Sequence, residues 1–369
     1  MKTLILGGYG NFGARIARAL ARHDGIELLI AGRDAARAAA LAASLGPDAR
    51  AHALDVNDES QLAAALRGIG LLIHTAGPFQ TQGYGVARAA ARAGVHYIDL
   101  ADGRRFVCDF ATALDDAFRS ANRCAITGAS TVPALSSAVV DHLAHGWRAL
   151  DEIDLCIAPA HNATRGTATM AAVLGYCGEP IEVWLDSRWQ RRRGWAAPTA
   201  VQFARLAPRL GALCDIPDLE LFPARYRGVR SVMFRAALEV PATQRGLALL
   251  AALRGARCVP SPARWAGALN ALAAVFDPLG SATGGMVVRV RGVAADGARA
   301  ARAWHITAGD NHGPEIPCMA AILLAERIAR GDAPAPGASA CIGHLRLADF
   351  APEFARWGMV TDEVDEAQP

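Results

Sequence analysis

One lysine, Lys2, stands among 38 basic residues, so almost all positive charge is arginine. That excludes Schiff-base lysine chemistry, and also the Tyr-x-x-x-Lys pair on which short-chain dehydrogenases rely. The eight cysteines form no Cys-x-x-Cys pair, which indicates neither a zinc knuckle nor a disulfide framework. Buried, reduced thiols are expected instead. No apolar run reaches 18 residues and no separate signal region precedes TLIL at residues 3–6. A cytoplasmic protein without a membrane partner is therefore expected. The net charge of +3 is small and scattered, which argues against a nucleic-acid partner. With 52% hydrophobic and 20% charged residues, the 369-residue chain reads as globular and long enough for two domains.

Glycine is plentiful, and four of the first glycines crowd into GGYGNFG at residues 7–13. An apolar strand pattern precedes them and a helical pattern, GARIARALAR (13–22), follows. The alternation continues through ELLIAG (27–32), AHALDV (51–56), GLLIHTAG (70–77), VHYIDL (95–100) and CAITGA (124–129), with helices between them. Asp34 is a natural N-cap, and Asp58 with Gln61 resembles a capping box. Six strands alternating with helices predict an α/β fold, a Rossmann-type doubly wound parallel sheet.

In such a sheet the loop after the first strand faces the ligand crevice. Gly8, Gly10 and Gly13 satisfy G-x-G-x-x-G, and Gly7, Gly10 and Gly13 satisfy G-x-x-G-x-x-G. Small residues there allow a tight turn, close approach of a pyrophosphate and close helix–strand packing. The following helix N-terminus favours anions. A tight turn without a ligand is the plain alternative; the strand–loop–helix context favours dinucleotide binding. At the end of the second strand stands Ala31-Gly32-Arg33-Asp34, where an NAD enzyme would carry an acid. Arg33 suits a 2′-phosphate, so NADP is expected, while Asp34 reads as either a displaced ribose ligand or a helix cap. Asp55 could hold a turn or lie near adenine, and Asp99 could be a cap or face the nicotinamide pocket.

Together, GGYGNFG, AGRD, LDVND, TAGPFQTQGYGVARAAARAGVHYIDLAD and GASTVPALSS resemble the saccharopine dehydrogenase (saccharopine reductase)-like family. The resemblance spans roughly residues 1–135. It implies an NADP-type Rossmann domain followed by a mixed α/β substrate and dimerisation domain. It also implies that Gly8, Gly10, Asn11, Phe12, Gly13, Arg33, Asp55, Thr75 and Ala76 contact NADP(H), and that Tyr97 and Asp99 border the substrate pocket.

Beyond residue 135 the strands lack regular βαβ alternation, which predicts a second, mixed α/β domain. Strand patterns fall at 151–160, 181–190, 231–240 and 286–306, the last a hairpin turning at Ala295-Asp296-Gly297. Helices are expected over 167–176, 243–254, 263–276 and 316–331. The domains are drawn at 1–130, 131–309 and 310–369, the last returning to the Rossmann domain. RWQRRRGW (188–195) reads as an exposed strand and turn rather than an anion site. His305, Asp310 and His312 make too weak a signature for a metal, and none is expected. His161 is the second-domain candidate for the cleft. A sheet face left uncovered by helices suggests a homodimer.

These residues suit reduction of an imine, or oxidation of a secondary amine of amino-acid type. A protonated iminium is already electrophilic, so a carboxylate or water can handle the proton; Asp99, Tyr97 and His161 are the candidates. The alternatives are an NADPH-dependent enoyl reductase on a lipid-like substrate, or an NADP-binding sensor or scaffold.

Overall fold

The computed structural model describes residues 1–163 and 174–366, so the helix expected over 167–176 lies largely outside the described residues. The chain divides into two compact units, Met1–Leu135 with Glu315–Leu345, and Ser136–Pro314 with Arg346–Pro369. The sequence pattern drew all of 310–369 to the first unit. Only Glu315–Leu345 lies there, because Arg346 onward belongs to the second.

The first unit is a parallel sheet built from β1 (Lys2–Leu6), β2 (Glu27–Gly32), β3 (Ala49–Ala53), β4 (Leu71–His74), β5 (His96–Asp99) and β6 (Cys124–Thr127). A seventh strand, β15 (Gly337–Ala340), is supplied by the returning segment, giving the order β15-β6-β5-β4-β1-β2-β3. The chain reverses its direction of travel across the sheet between β1 and β4, where doubly wound sheets open a ligand crevice. Strand interiors such as Leu4, Ile5, Ile30, Leu72, Ile73 and Ile98 are wholly buried, as both faces of a parallel sheet must be. Between β1 and β2 runs helix α1 (Asn11–Leu20), which buries Ile16, Ala17 and Leu20. The helix Ile316–Ala329 packs beside it: Cys318 Sγ lies 3.7 Å from the Phe12 carbonyl, and Glu315 pairs with Arg15.

The second unit holds the remaining strands: β7 (Ala149–Ala158), β8 (Pro180–Leu185), β9 (Arg188–Arg193), β10 (Thr199–Val201), β11 (Arg209–Leu213), β12 (Ser231–Leu238), β13 (Gly284–Val293), β14 (Arg299–Ala308) and β16 (Val360–Asp365). Their main path is β10-β11-β12-β7-β13-β14-β16, with β8 and β9 added at β12. Among the described residues only the β7–β12 pair of this sheet is parallel, which makes it the mixed sheet expected. The single strand expected over 181–190 is a hairpin. Asp186 and Ser187 both adopt positive φ (51° and 59°), the backbone a tight two-residue turn needs. The side chains there gave no Asn-Gly signal. One face of the sheet is apolar, with Ile153, Leu155, Val232, Phe234, Val288 and Val290 buried. The opposite face is not bare. Phe203 and Leu206 pack over Cys156, Ala158, Ala237, Val287 and Ala303, and the ion pairs Glu152–Arg291 and Asp154–Arg235 occupy it further along.

Candidate functional site

The glycine loop joins β1 to α1 and is shaped by its own backbone. Gly7 takes φ +77°, and the Gly7 and Gly8 N–H groups both donate to the Ala31 carbonyl, at 2.9 and 3.2 Å. Gly10 N–H closes the turn on Gly7 O at 2.8 Å. A Cβ on Gly8 would lie 2.8 Å from Ile5 O and 3.0 Å from Ile30 Cγ2. One on Gly13 would strike the Gly7 carbonyl and sit 2.7 Å from Thr75 Oγ1. Gly8 and Gly13 are thus packing glycines. Gly10 differs: its Cβ would meet only Gly7 O, at 3.0 Å, and otherwise open space. Gly10 also N-caps α1 without any side-chain cap, leaving the first-turn N–H groups of a helix with half-exposed Asn11 and Phe12 at its mouth.

The end of β2 adds a residue that the sequence pattern did not single out. The Tyr9 ring lies against Gly32, where a Cβ would come within 2.7 Å of its hydroxyl oxygen. That hydroxyl accepts a 2.8 Å bond from Asp34 N–H. The Arg37 guanidinium sits 4.8 Å over the ring. Arg33 and Arg37, both exposed, therefore flank the corner where β2 ends. The Asp34 ambiguity resolves as a cap, since its carboxylate accepts from Arg37 N–H at 3.0 Å. Helical spacing from Arg33 to Arg37 was the available signal.

Several expected contacts are occupied within the protein. Asp55 accepts from Asn57 N–H and Nδ2, both at 3.0 Å, and so holds the turn after β3. Thr75 Oγ1 donates to Leu6 O at 2.9 Å and pins the end of β4 to the glycine loop. Ala76 N–H points at His74 Nδ1 at 3.4 Å, and Ala76 O accepts from Gln82 Nε2 at 2.7 Å. His74, buried and held down at about 4 by that burial, keeps its Nε2 3.1 Å from Gln82 Oε1. His74 and Gln82, neither expected, thus set the loop after β4. Phe79 and Tyr84 of the GPFQTQGYG stretch pack edge-on and tilted against Phe106, which in turn packs on Phe110.

Asp99 and Tyr97 are both wholly buried. Asp99 Oδ1 accepts from Ala101 N–H (2.9 Å), Gly128 N–H (2.9 Å) and Thr127 Oγ1 (2.8 Å), tying the loops after β5 and β6 together. Its Oδ2 and the Tyr97 hydroxyl, neither of which has a partner in strict hydrogen-bonding geometry, interact with each other. Burial pushes the Asp99 carboxyl up to about 6, against the opposing effect of Gly128, Ala101, Thr127 and the Tyr97 hydroxyl. The Tyr97 ring stacks on Phe110 at 5.8 Å. Both residues sit as anchors of the first unit.

His161 belongs to the second unit, which is described by itself. Its N–H donates to Glu239 Oε2 at 2.9 Å, its Nε2 lies 3.1 Å from Asp277 Oδ1, and its ring packs on Gly280. Glu239 also takes Ser281 N–H (3.1 Å) and Oγ (2.6 Å) and pairs with buried Arg209 at 3.3 Å. A shallow pocket of about 300 Å³, lined by Asn162, Ala163, Asn270, Ala274 and Asp277, opens beside it. His305 Nδ1 accepts from Ala204 N–H and His312 Nδ1 faces the Trp357 carbonyl. Among the described residues, no three His, Cys, Asp or Glu side chains gather around a cation position.

A doubly wound sheet with this loop at its switch point defines a dinucleotide-binding domain. Residues 3–132 match the family described as the saccharopine dehydrogenase NADP binding domain, and the chain carries an NADP-binding domain of that kind. The whole fold resembles apo saccharopine dehydrogenase (L-Glu forming) from Saccharomyces cerevisiae, with TM-score 0.71 and 14% identity, covering 99% of this chain and 100% of that one. Homospermidine synthase from Legionella pneumophila, solved with NAD, gives TM-score 0.65 at 10% identity, covering 99% and 91%. At such identities the likeness is one of fold. No curated protein matches the chain by sequence.

Proposed function

We propose that the chain is an NADP-dependent oxidoreductase of saccharopine dehydrogenase type, reducing an imine or oxidising a secondary amine of amino-acid-like character. The observation that carries this reading is the corner built by Gly10, Tyr9, Arg33 and Arg37: an open glycine, an uncapped helix N-terminus and two arginines. The residues fit the cofactor. Gly10 and the α1 N–H groups would hold the pyrophosphate, while Arg33 and Arg37 would hold the 2′-phosphate. The nicotinamide, when bound, supplies or accepts the hydride. The loop fixed by His74, Gln82 and Thr75 orients that half of the crevice. Asp99 keeps the two neighbouring loops in place, and its buried carboxyl leaves proton exchange with the substrate to water or to another side chain, with His161, beside its own pocket in the second unit, the candidate imidazole.

Consumption of NADPH, followed by its absorbance, against keto acids paired with amines tests the reading. Activity on such pairs alone supports it. Activity only on enoyl thioesters would replace it with carbon–carbon double-bond reduction on a lipid-like substrate, a reading favoured by the exposed apolar helices of the second unit. Tight NADPH binding without turnover on any substrate would make the chain a sensor or scaffold. The proposal includes a homodimer. Strand β16 ends its sheet as a largely exposed edge, with Val360 and Val364 at 41% and 42% exposure, and such edges pair readily with a second copy. Light scattering should give about twice the chain mass.

A further inference from the structure

Between β12 and β13 the second unit makes an excursion through two helices, Pro241–Gly255 and Ala266–Ala274. Of the nine large hydrophobic side chains exposed among the described residues, six lie here: Leu249 (62%), Leu253 (38%), Trp265 (40%), Leu272 (59%), Val275 (71%) and Leu279 (72%). The second helix, AGALNALAA, is almost wholly apolar yet buries only Ala266. A surface helix of a water-facing domain shows the reverse pattern, with its apolar stripe turned inward. Apolar side chains gathered in one short segment mark a contact surface.

The charge on this excursion is one-sided. Residues 241–280 contain four arginines, a single aspartate, Asp277, and no glutamate or lysine. Arg245, Arg257 and Arg264 are exposed, whereas Arg254 turns inward to Glu179. The neighbouring hairpin adds to it. The Arg193 guanidinium lies against Gly255, so β9, with exposed Arg188, Arg191, Arg192 and Arg193, borders the same helix. Trp189, 45% exposed, stands on that strand.

We propose that this excursion, together with the β9 hairpin, docks the protein on the surface of an anionic lipid bilayer. Leucine, valine and tryptophan side chains enter the headgroup boundary, while arginines meet lipid phosphates at its rim. The docking is peripheral: among the described residues no helix is long and apolar enough to cross a membrane. Charge argues against a second copy as the occupant. A two-fold contact through this patch would set its arginines against their own equivalents, with only Asp277 on the excursion and Asp186 and Glu182 on the hairpin to offset them, Glu182 being already paired with Arg191. The proposal does not depend on which reaction the chain performs.

Co-sedimentation of the full chain with vesicles tests it, using phosphatidylcholine alone and phosphatidylcholine with about one-third phosphatidylglycerol. The protein should pellet with the anionic vesicles at least about tenfold better than with the neutral ones, and less as salt is raised. Leu249→Ser with Leu253→Ser, and separately Arg245→Glu with Arg257→Glu, should each weaken pelleting by about tenfold or more. All four positions are exposed, so unchanged thermal midpoints and NADPH affinity would show intact folding. Failure to pellet with anionic vesicles overturns the proposal, as does pelleting that neither double variant changes. So does conversion of a dimer to a monomer by the leucine variant without any vesicle binding, which would give the apolar face to a second copy.

Discussion

The Tyr9 hydroxyl, in the loop after β1, accepts a 2.8 Å hydrogen bond from the backbone N–H of Asp34, just beyond the end of β2. The bond fixes the glycine loop against the next strand's end, and Arg37, 4.8 Å over the same ring, is fixed with it. Loop, strand end and Arg37 are thus held together, with exposed Arg33 beside them, which is the preorganisation a phosphate site needs.

Cofactor choice follows from that corner. NADPH should bind at least about tenfold more tightly than NADH, and Arg33→Ala should remove most of the difference. Arg37→Ala should remove a smaller part, and neither change should affect 5′-AMP. Calorimetric titration with 2′,5′-ADP and 5′-AMP measures this directly, without turnover. Equal affinity of the wild type for both nucleotides would sink the assignment.

Two glycines of one motif should fail differently. Gly10→Val places its side chain in open space beside the α1 N-terminus, so cofactor binding should be lost while the fold survives. Gly13→Val drives a side chain into Gly7 O and Thr75 Oγ1, so it should unfold the first unit. Circular dichroism melts alongside NADPH titration separate the two outcomes. A folded, binding-competent Gly10→Val protein would leave the loop as a turn only.

Asp99 gives a pH prediction with an unusual sign. Its carboxyl rises from 3.8 to about 6 in the folded protein, so the folded state holds this proton more tightly than the unfolded chain does. The stability it contributes is full below about pH 4 and is lost as pH rises to about 6, a span worth about 3 kcal/mol. Buried His74 runs the opposite way, losing stability as pH falls from 6.5 towards about 4. The two trends overlap, so the difference between wild type and Asp99→Asn isolates the carboxyl. The variant keeps an oxygen for the three donors but no titration, and its stability relative to wild type should rise between pH 4 and 6. Asp99→Ala, which strands those donors, should cost about 3 kcal/mol at neutral pH. If Asp99→Asn instead leaves the pH profile unchanged and lowers turnover about a hundredfold, Asp99 handles the catalytic proton.

In the second unit, Glu239→Ala should cost about 3 kcal/mol, because it leaves buried Arg209 without its counter-charge and Ser281 without its acceptor. His161→Ala should cost much less, since Glu239 is held by the His161 backbone N–H. Urea unfolding of both variants compares them. A His161→Ala protein that is stable but inactive would assign the proton chemistry to the imidazole.

What the sequence determined by itself was the local grammar of the first unit. Apolar runs bounded by glycine became β1, β2, β4, β5 and β6, because a parallel strand covered on both faces needs an unbroken apolar pattern, and Asp34 capped its helix by a contact only three residues away. The Gly-x-Gly-x-x-Gly spacing marked the loop in the same way. Tertiary structure decided everything that needed distant partners. Strand β15 arises in a proline-rich stretch because β6 presents a free edge to pair with. Tyr9 acquires its place from Gly32, and Asp99 is an anchor because two donors at the distant end of β6, Thr127 and Gly128, converge on it beside its own loop's Ala101 N–H. The segments after β12 read in sequence simply as helices; only the folded unit shows that their leucines are exposed among the described residues. Local contacts are written in spacing along the chain, whereas burial is a property of which elements meet.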